Sequence, residues 1–198
     1  MFTTLMLAAT LAYPSPLRSE SEQKWVGRTV IMKATGTRFY TTNSDNQEVL
    51  AGTLTRTDYV VTRESESRIW VKQDGVEGWL NKSDAALPDE GIDYFTKLIE
   101  ANPNDASNYA RRSKARELKG DIDGAIKDYD ETIRISPGAS SWWNNRANLH
   151  QRKQDYQRAI EEYNRSIELN NSSGIVFGNR GNAYNNLHDY PKAISDYN

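Results

Sequence analysis

Apolar and polar positions change rhythm once along this chain. In the first part, short runs rich in β-branched and aromatic residues stand between polar stretches: Val30-Ile31-Met32, Arg38-Phe39-Tyr40-Thr41, Tyr59-Val60-Val61-Thr62 and Arg68-Ile69-Trp70-Val71-Lys72. That composition predicts short strands. Asp74-Gly75, between Trp70-Val71-Lys72 and Gly78-Trp79-Leu80, predicts a tight hairpin. Several short strands in about sixty residues predict a small barrel or sandwich. Further along the period lengthens. Ala125, Tyr129 and Ile133 fall at i, i+4 and i+8, and Ala159, Tyr163 and Ile167 repeat them, which is the apolar face of a helix.

The second half also repeats itself. Ala125, Ala159 and Ala193 are 34 residues apart, and Ile126, Ile160 and Ile194 keep the step. So do Tyr129, Tyr163 and Tyr197; Tyr109, Trp143 and Phe177; and Ser113, Ala147 and Gly181. Small residues and aromatics at fixed offsets in a 34-residue period predict helix–turn–helix units stacked into a solenoid. Asp121, Asp155 and Asp189 each precede the second helix of a unit, where a carboxylate accepts the orphan amides of the first turn. Gln154 and His188 stand where the first unit has Gly120, which predicts a less favourable turn. Run backward, the period pairs Gly91, Ile92, Phe95 and Ile99 with Ala125, Ile126, Tyr129 and Ile133. A lone second helix is therefore expected over 90–101, capping the solenoid and docking it on the strand-rich domain. The period breaks in mid-helix at Asn198, so further repeats are expected in the parent protein.

The chain has 198 residues, enough for one or two domains, with 37% hydrophobic and 26% charged residues, as in a folded soluble protein. The formal charge of −2 gives no overall field for nucleic acid. With no cysteine, disulfides, thiolate metal sites and cysteine nucleophiles are excluded. Phe2 to Tyr13 is an apolar run too short to span a bilayer and of the length of a signal-peptide core, so export to the periplasm or medium is expected. No other segment could cross a membrane.

Two resemblances follow. Val49-Leu50-Ala51-Gly52-Thr53-Leu54, Asp58-Tyr59-Val60-Val61, Trp70-Val71-Lys72 and Glu77-Gly78-Trp79-Leu80 resemble the bacterial Src-homology-3-like domain, although Thr42 to Asn46 replaces that family's Arg-x-Gly-Pro segment. The repeating units resemble tetratricopeptide repeats, and Asn179-Arg180-Gly181-Asn182-Ala183-Tyr184 is especially typical. The organisation implied is multidomain α and β: a small SH3-like barrel followed by an α-helical solenoid. A signal peptide over 1–13 and a linker over 14–23 precede the barrel at 24–88. A half-repeat helix follows at 89–104, then repeats at 106–139, 140–173 and 174–198, the last truncated.

The resemblance to tetratricopeptide repeats implies function in a concave groove lined by the first helix of each unit. Arg111 and Lys114, Asn145 and Asn148, and Asn179 and Asn182 are i, i+3 pairs on that face. Asparagine amides can bind an extended peptide backbone as donor and acceptor, and the two cations can receive a carboxylate. Ala110 and Ile175 argue against a clamp for a terminal carboxylate. Arg112, Arg146 and Arg180 also recur every 34 residues, and their regularity points to a structural role. In the strand-rich domain Tyr59, Trp70 and Trp79 form a candidate ligand cleft.

No catalytic motif, phosphate loop or dinucleotide fingerprint occurs, and neither His150 nor His188 sits in a ligand pattern. No cofactor or metal is expected. The reading is a non-enzymatic scaffold that binds a protein or peptide partner. The alternatives are a peptidoglycan-binding module acting through the barrel, and the regulatory part of a longer enzyme.

Overall fold

The computed structural model describes residues 25–198. The expected signal peptide and linker lie outside the described residues. Seven strands come first: β1 (Thr29–Met32), β2 (Arg38–Thr42), β3 (Glu48–Thr53), β4 (Asp58–Glu64), β5 (Arg68–Gln73), β6 (Val76–Asn81) and β7 (Ala85–Ala86). They form one antiparallel sheet in the order β3-β2-β6-β5-β4-β1-β7. The β5–β6 hairpin turns at Asp74 and Gly75 with φ of 50° and 81°, as a primed two-residue turn requires. Inward side chains of six strands (Val30, Met32, Phe39, Tyr59, Val61, Ile69, Val71, Leu80 and Ala85) meet in one cluster with Trp25, Leu54 and Leu87. Gly78 lets the Phe39 ring lie against the strand, because a Cβ there would stand 2.6 Å from Phe39 Cδ2.

The helices are α1 (Pro88–Ala101), α2 (Ala106–Leu118), α3 (Ile122–Ile135), α4 (Ser140–Arg152), α5 (Tyr156–Leu169), α6 (Gly174–Asn186) and α7 (Tyr190–Tyr197). They pack as consecutive antiparallel pairs in a solenoid. Asp121, Asp155 and Asp189 cap α3, α5 and α7 by accepting from the backbone N–H three residues on. Between the two helices of each unit, Gly120, Gln154 and His188 all adopt positive φ, 83°, 63° and 61°. The turn has the same shape each time, and the two residues with a Cβ are strained there.

Strand β1 ties the two parts together. Val30 and Met32 enter the sheet core, whereas Ile31 points the other way, into a cluster with Phe95 of α1 and Ala115 of α2. The strand is therefore covered on both faces. Gly91 makes this contact close: a Cβ there would stand 3.3 Å from Ile31 Cδ1, 3.7 Å from Ala115 Cβ and 3.8 Å from Ala86 Cβ. Helix α1 begins at Pro88, immediately after β7, so the sheet runs into the solenoid with no flexible spacer.

Candidate peptide groove

Three arginines lock the solenoid's units to one another. Arg112 places Nε and Nη2 on the Asp128 carboxylate (3.0 and 2.7 Å) and Nη1 on Thr96 Oγ1 (3.1 Å). Arg146 donates from Nε to Glu162 at 3.0 Å and from Nη1 to Asp130 at 2.6 Å. Arg180 does the same with Asp196 and Asn164, at 2.8 and 2.7 Å. Each guanidinium thus joins the second helix of its own unit to the second helix of the unit before, and lies over the aromatic of its own helix: Tyr109, Trp143 or Phe177. The Asp196 hydrogen bonds and charge hold Arg180 above the usual arginine value. Burial pushes the Glu162 carboxyl up, and Arg146 partly offsets this. These arginines fix the curvature of the face on which the candidate groove residues sit.

On that face each predicted asparagine has an internal partner. Tyr163, fully buried, donates its hydroxyl to Asn148 Oδ1 at 2.5 Å, and Tyr197 donates to Asn182 Oδ1 at 2.8 Å. Asn145 accepts from Asn144 at 3.2 Å, and Asn179 donates to Asn144 Oδ1 at 3.1 Å. The second-helix tyrosine of the first unit, Tyr129, would find Lys114 at the equivalent place. It lies beside Asn145 and Ser113 instead, and burial pushes its hydroxyl well above the usual tyrosine value. The asparagines therefore orient on the molecule itself through one end of the amide. Among the described residues, Nδ2 of Asn148 and of Asn182 donates no hydrogen bond within the chain.

The structure brings Lys114, Asn145 and Asn148 into one cleft of about 340 Å³, with Glu117, Tyr129, the β3–β4 loop residues Thr55, Arg56 and Thr57, and Asp58 at the start of β4. Asp58 pairs with Lys114 Nζ at 3.5 Å, and Glu117 lies 3.2 Å from the same nitrogen and 2.6 Å from Arg152. The sheet domain thus supplies the end wall of the groove. The sequence gives no local sign of this, because Asp58 and Lys114 are 56 residues apart. Arg111 lies outside the cleft. It is half-buried with its Nε unbonded, and burial lowers its pKa while Asp105 and Tyr94 oppose the shift. Asn179 and Asn182 sit one unit further along.

The second candidate group does not form one cleft. Tyr59 is fully buried in the sheet core, because it alternates inward with Val61 along β4. Trp70 and Trp79 lie on the outer face as a cross-strand pair, ring centroids 5.4 Å apart and edge to face. Arg63 covers Trp70 at 4.0 Å from its ring centre. Nothing in this arrangement supports a peptidoglycan ligand. Among the described residues no group of three or more His, Asp or Glu converges to hold a metal ion, and no helix is long and apolar enough to cross a membrane.

Family profiles described as tetratricopeptide repeat match residues 80–140 and 140–173. The solenoid is built of tetratricopeptide repeats. Such repeats generally mediate protein–protein contacts, and the fold is typically a non-enzymatic scaffold. The chain superposes on the crystal structure of MamA with a TM-score of 0.54 and 22% identity, over 59% of this chain and 66% of that one. A second crystal structure of MamA protein gives 0.54 and 17% over 57% and 61%. The Arabidopsis OM64 TPR domain gives 0.45 and 19% over 46% and 75%. The chain therefore spans just under two thirds of the first MamA structure and 61% of the second, and the likeness is one of fold. No curated protein sequence matches the chain.

Proposed function

We propose that this protein is a protein–protein interaction scaffold whose repeats take up an extended peptide segment of a partner, anchored at the cleft between the β3–β4 loop and helices α2 and α4. The observation that carries the reading is the convergence of Lys114, Asn145 and Asn148 with Arg56 and Asp58 around one open space of about 340 Å³. A space of that size admits two or three side chains of a bound segment. Its walls offer both charges and open amide groups, which suits a peptide backbone with one polar anchor better than a wholly apolar ligand. Ion pairs already hold Lys114 and Glu117, so a bound acidic or basic side chain would exchange partners and would be favoured by complementarity.

Selection of a peptide from a displayed random library on the immobilised chain tests this, followed by fluorescence anisotropy with the selected sequence. Wild type is expected to bind it. The double variant Lys114→Ala with Asn145→Ala, with helicity checked by circular dichroism, is expected to lose tenfold or more. Equal binding by both would remove the groove reading. Export, read from Phe2 to Tyr13, belongs to the same proposal, and cell fractionation with an antibody to the chain tests it.

A further inference from the structure

The outer face of the sheet carries a single registered row of side chains across five strands. Leu50 pairs with Tyr40, Tyr40 with Trp79, Trp79 with Trp70 and Trp70 with Arg63. Paired residues in an antiparallel sheet point to the same side, so these five stand side by side. The helices pack on the β1 and β7 end of the sheet, and among the described residues this face is uncovered. Leu50 is 55% exposed, Tyr40 and both tryptophans are half-buried, and Arg63 is exposed.

Two irregularities build the row. A register shift between Phe39 and Tyr40 leaves Ala51 as the extra residue of β3, so that Leu50 comes to stand opposite Tyr40. A second shift between Val61 and Arg63 turns Arg63 outward onto Trp70 and sends Glu64 inward, where it binds Lys82 and the Trp25 amide. Simple alternation from Tyr59 and Val61 would have pointed Arg63 into the core, and a bulge is a device that re-aims a side chain in this way.

The charges of the face are unequal. Lys72 pairs with Glu77 and Arg68 with Glu48, but among the described residues Arg63 forms no ion pair; its guanidinium lies 4.0 Å from the Trp70 centre and 5.5 Å from the Trp79 centre. Two indoles thus hold in place a cation whose N–H groups face solvent. The carboxylate of Glu48, which rises from β3, reaches across to Arg68 of β5 beside the row. Glu48 and Glu77 would repel the continuous charge of a nucleic acid strand. An isolated carboxylate at the β4 end would meet Arg63 alone.

We infer that this row is a second docking surface, separate from the groove, for an extended peptide segment that places one acidic side chain on Arg63 and its apolar or aromatic side chains over Trp79, Tyr40 and Leu50. Four inter-strand spacings make the row about 19 Å long, which an extended segment of about six residues covers. A carboxylate on a guanidinium stacked by an indole gains a charge-assisted hydrogen bond without ordering a free arginine. The aromatic rings supply contact area with few rotatable bonds.

The test uses fluorescein-labelled octapeptides in which one glutamate is followed at alternate positions by phenylalanine and leucine, with serine between. Anisotropy is read against residues 1–198. The expected result is saturable binding that falls at least tenfold when lysine replaces the peptide's glutamate, and at least tenfold with Arg63→Glu. Arg63 is exposed, so that variant keeps the fold, and circular dichroism verifies it. Trp70→Phe, a milder change, should weaken binding severalfold. Lys114→Ala with Asn145→Ala should leave binding unchanged, which separates this surface from the groove. Binding that is indifferent to Arg63→Glu would overturn the inference. So would a complete absence of binding, or tighter binding of an oligodeoxythymidylate than of the peptide.

Discussion

Removing Arg146 should loosen the solenoid at its middle. The side chains of Arg146 and Glu162 are 14% and 13% exposed, so their pair is nearly out of water. Truncation to alanine would leave the Glu162 carboxylate with His150 Nε2 at 3.5 Å and the more distant charge of Arg158. Breaking a buried pair by removing one partner costs about 3–5 kcal/mol. Burial here is incomplete, and the second arm reaches an exposed Asp130, so the low end, about 3 kcal/mol, is expected for Arg146→Ala. Urea denaturation followed by far-ultraviolet circular dichroism measures the loss by linear extrapolation. In a stack of repeats the break also uncouples α4–α7 from α1–α3, so the transition should broaden or split. Arg134→Ala, which removes an exposed pair with Glu131, is the control and should cost about 0.5 kcal/mol or less. The pH dependence has a definite sign. Burial raises the folded-state pKa of Glu162, and loss of Arg146 raises it further. The penalty in the variant is therefore full above that raised value and fades below the ordinary glutamate range, where the group is protonated in both states. A loss for Arg146→Ala no larger than that for Arg134→Ala, unchanged by pH, would refute the reasoning.

Three other outcomes follow from the same geometry. Gln154→Gly and His188→Gly should each stabilise the protein by about 0.5–1 kcal/mol in the same urea assay, because both positions hold positive φ with a Cβ present. Burial lowers the pKa of His150, chiefly by desolvation and against the pull of Asp155. The unfolded chain thus takes up its proton first as pH falls below about 6.5, and wild type should lose more stability between pH 7.5 and 5.5 than His150→Asn. Gly91→Leu should cost about 2–3 kcal/mol, since Ile31, Ala86 and Ala115 already surround that Cα, and should expose the Phe95 cluster to a hydrophobic dye.

Much of the solenoid was legible because its packing repeats at a period the sequence shows openly. The tyrosines and alanines of the second helices recur without change. So do Arg112, Arg146 and Arg180, and their regularity already pointed to structure rather than ligand. Their partners were harder to see. The acceptors in the same unit are Asp128, Glu162 and Asp196, and those in the unit before are Thr96, Asp130 and Asn164. The positions repeat while the residue types drift, so a search by identity passes over them. Tyr59 was grouped with Trp70 and Trp79 because all three are aromatic. Strand alternation sends it into the core, and the two bulges that build the outer row leave no mark in composition. Asn148 and Asn182 read as free groove residues until the tyrosine hydroxyls fifteen positions on were found bonded to them. Asp58, at the start of β4, reaches Lys114 through the docking of Ile31 on α1 and α2, a contact between distant segments.

The proposed function puts a partner peptide in the groove against the β3–β4 loop. Amide chemical shifts of the isotope-labelled chain, recorded while the library-selected peptide is titrated in, test it most directly. The largest changes should fall on Asp58, Lys114, Glu117, Asn145 and Asn148 and disappear in Lys114→Ala with Asn145→Ala. Changes confined to the sheet's outer face, or to helices α5 and α7 on the opposite side of the solenoid, would contradict it.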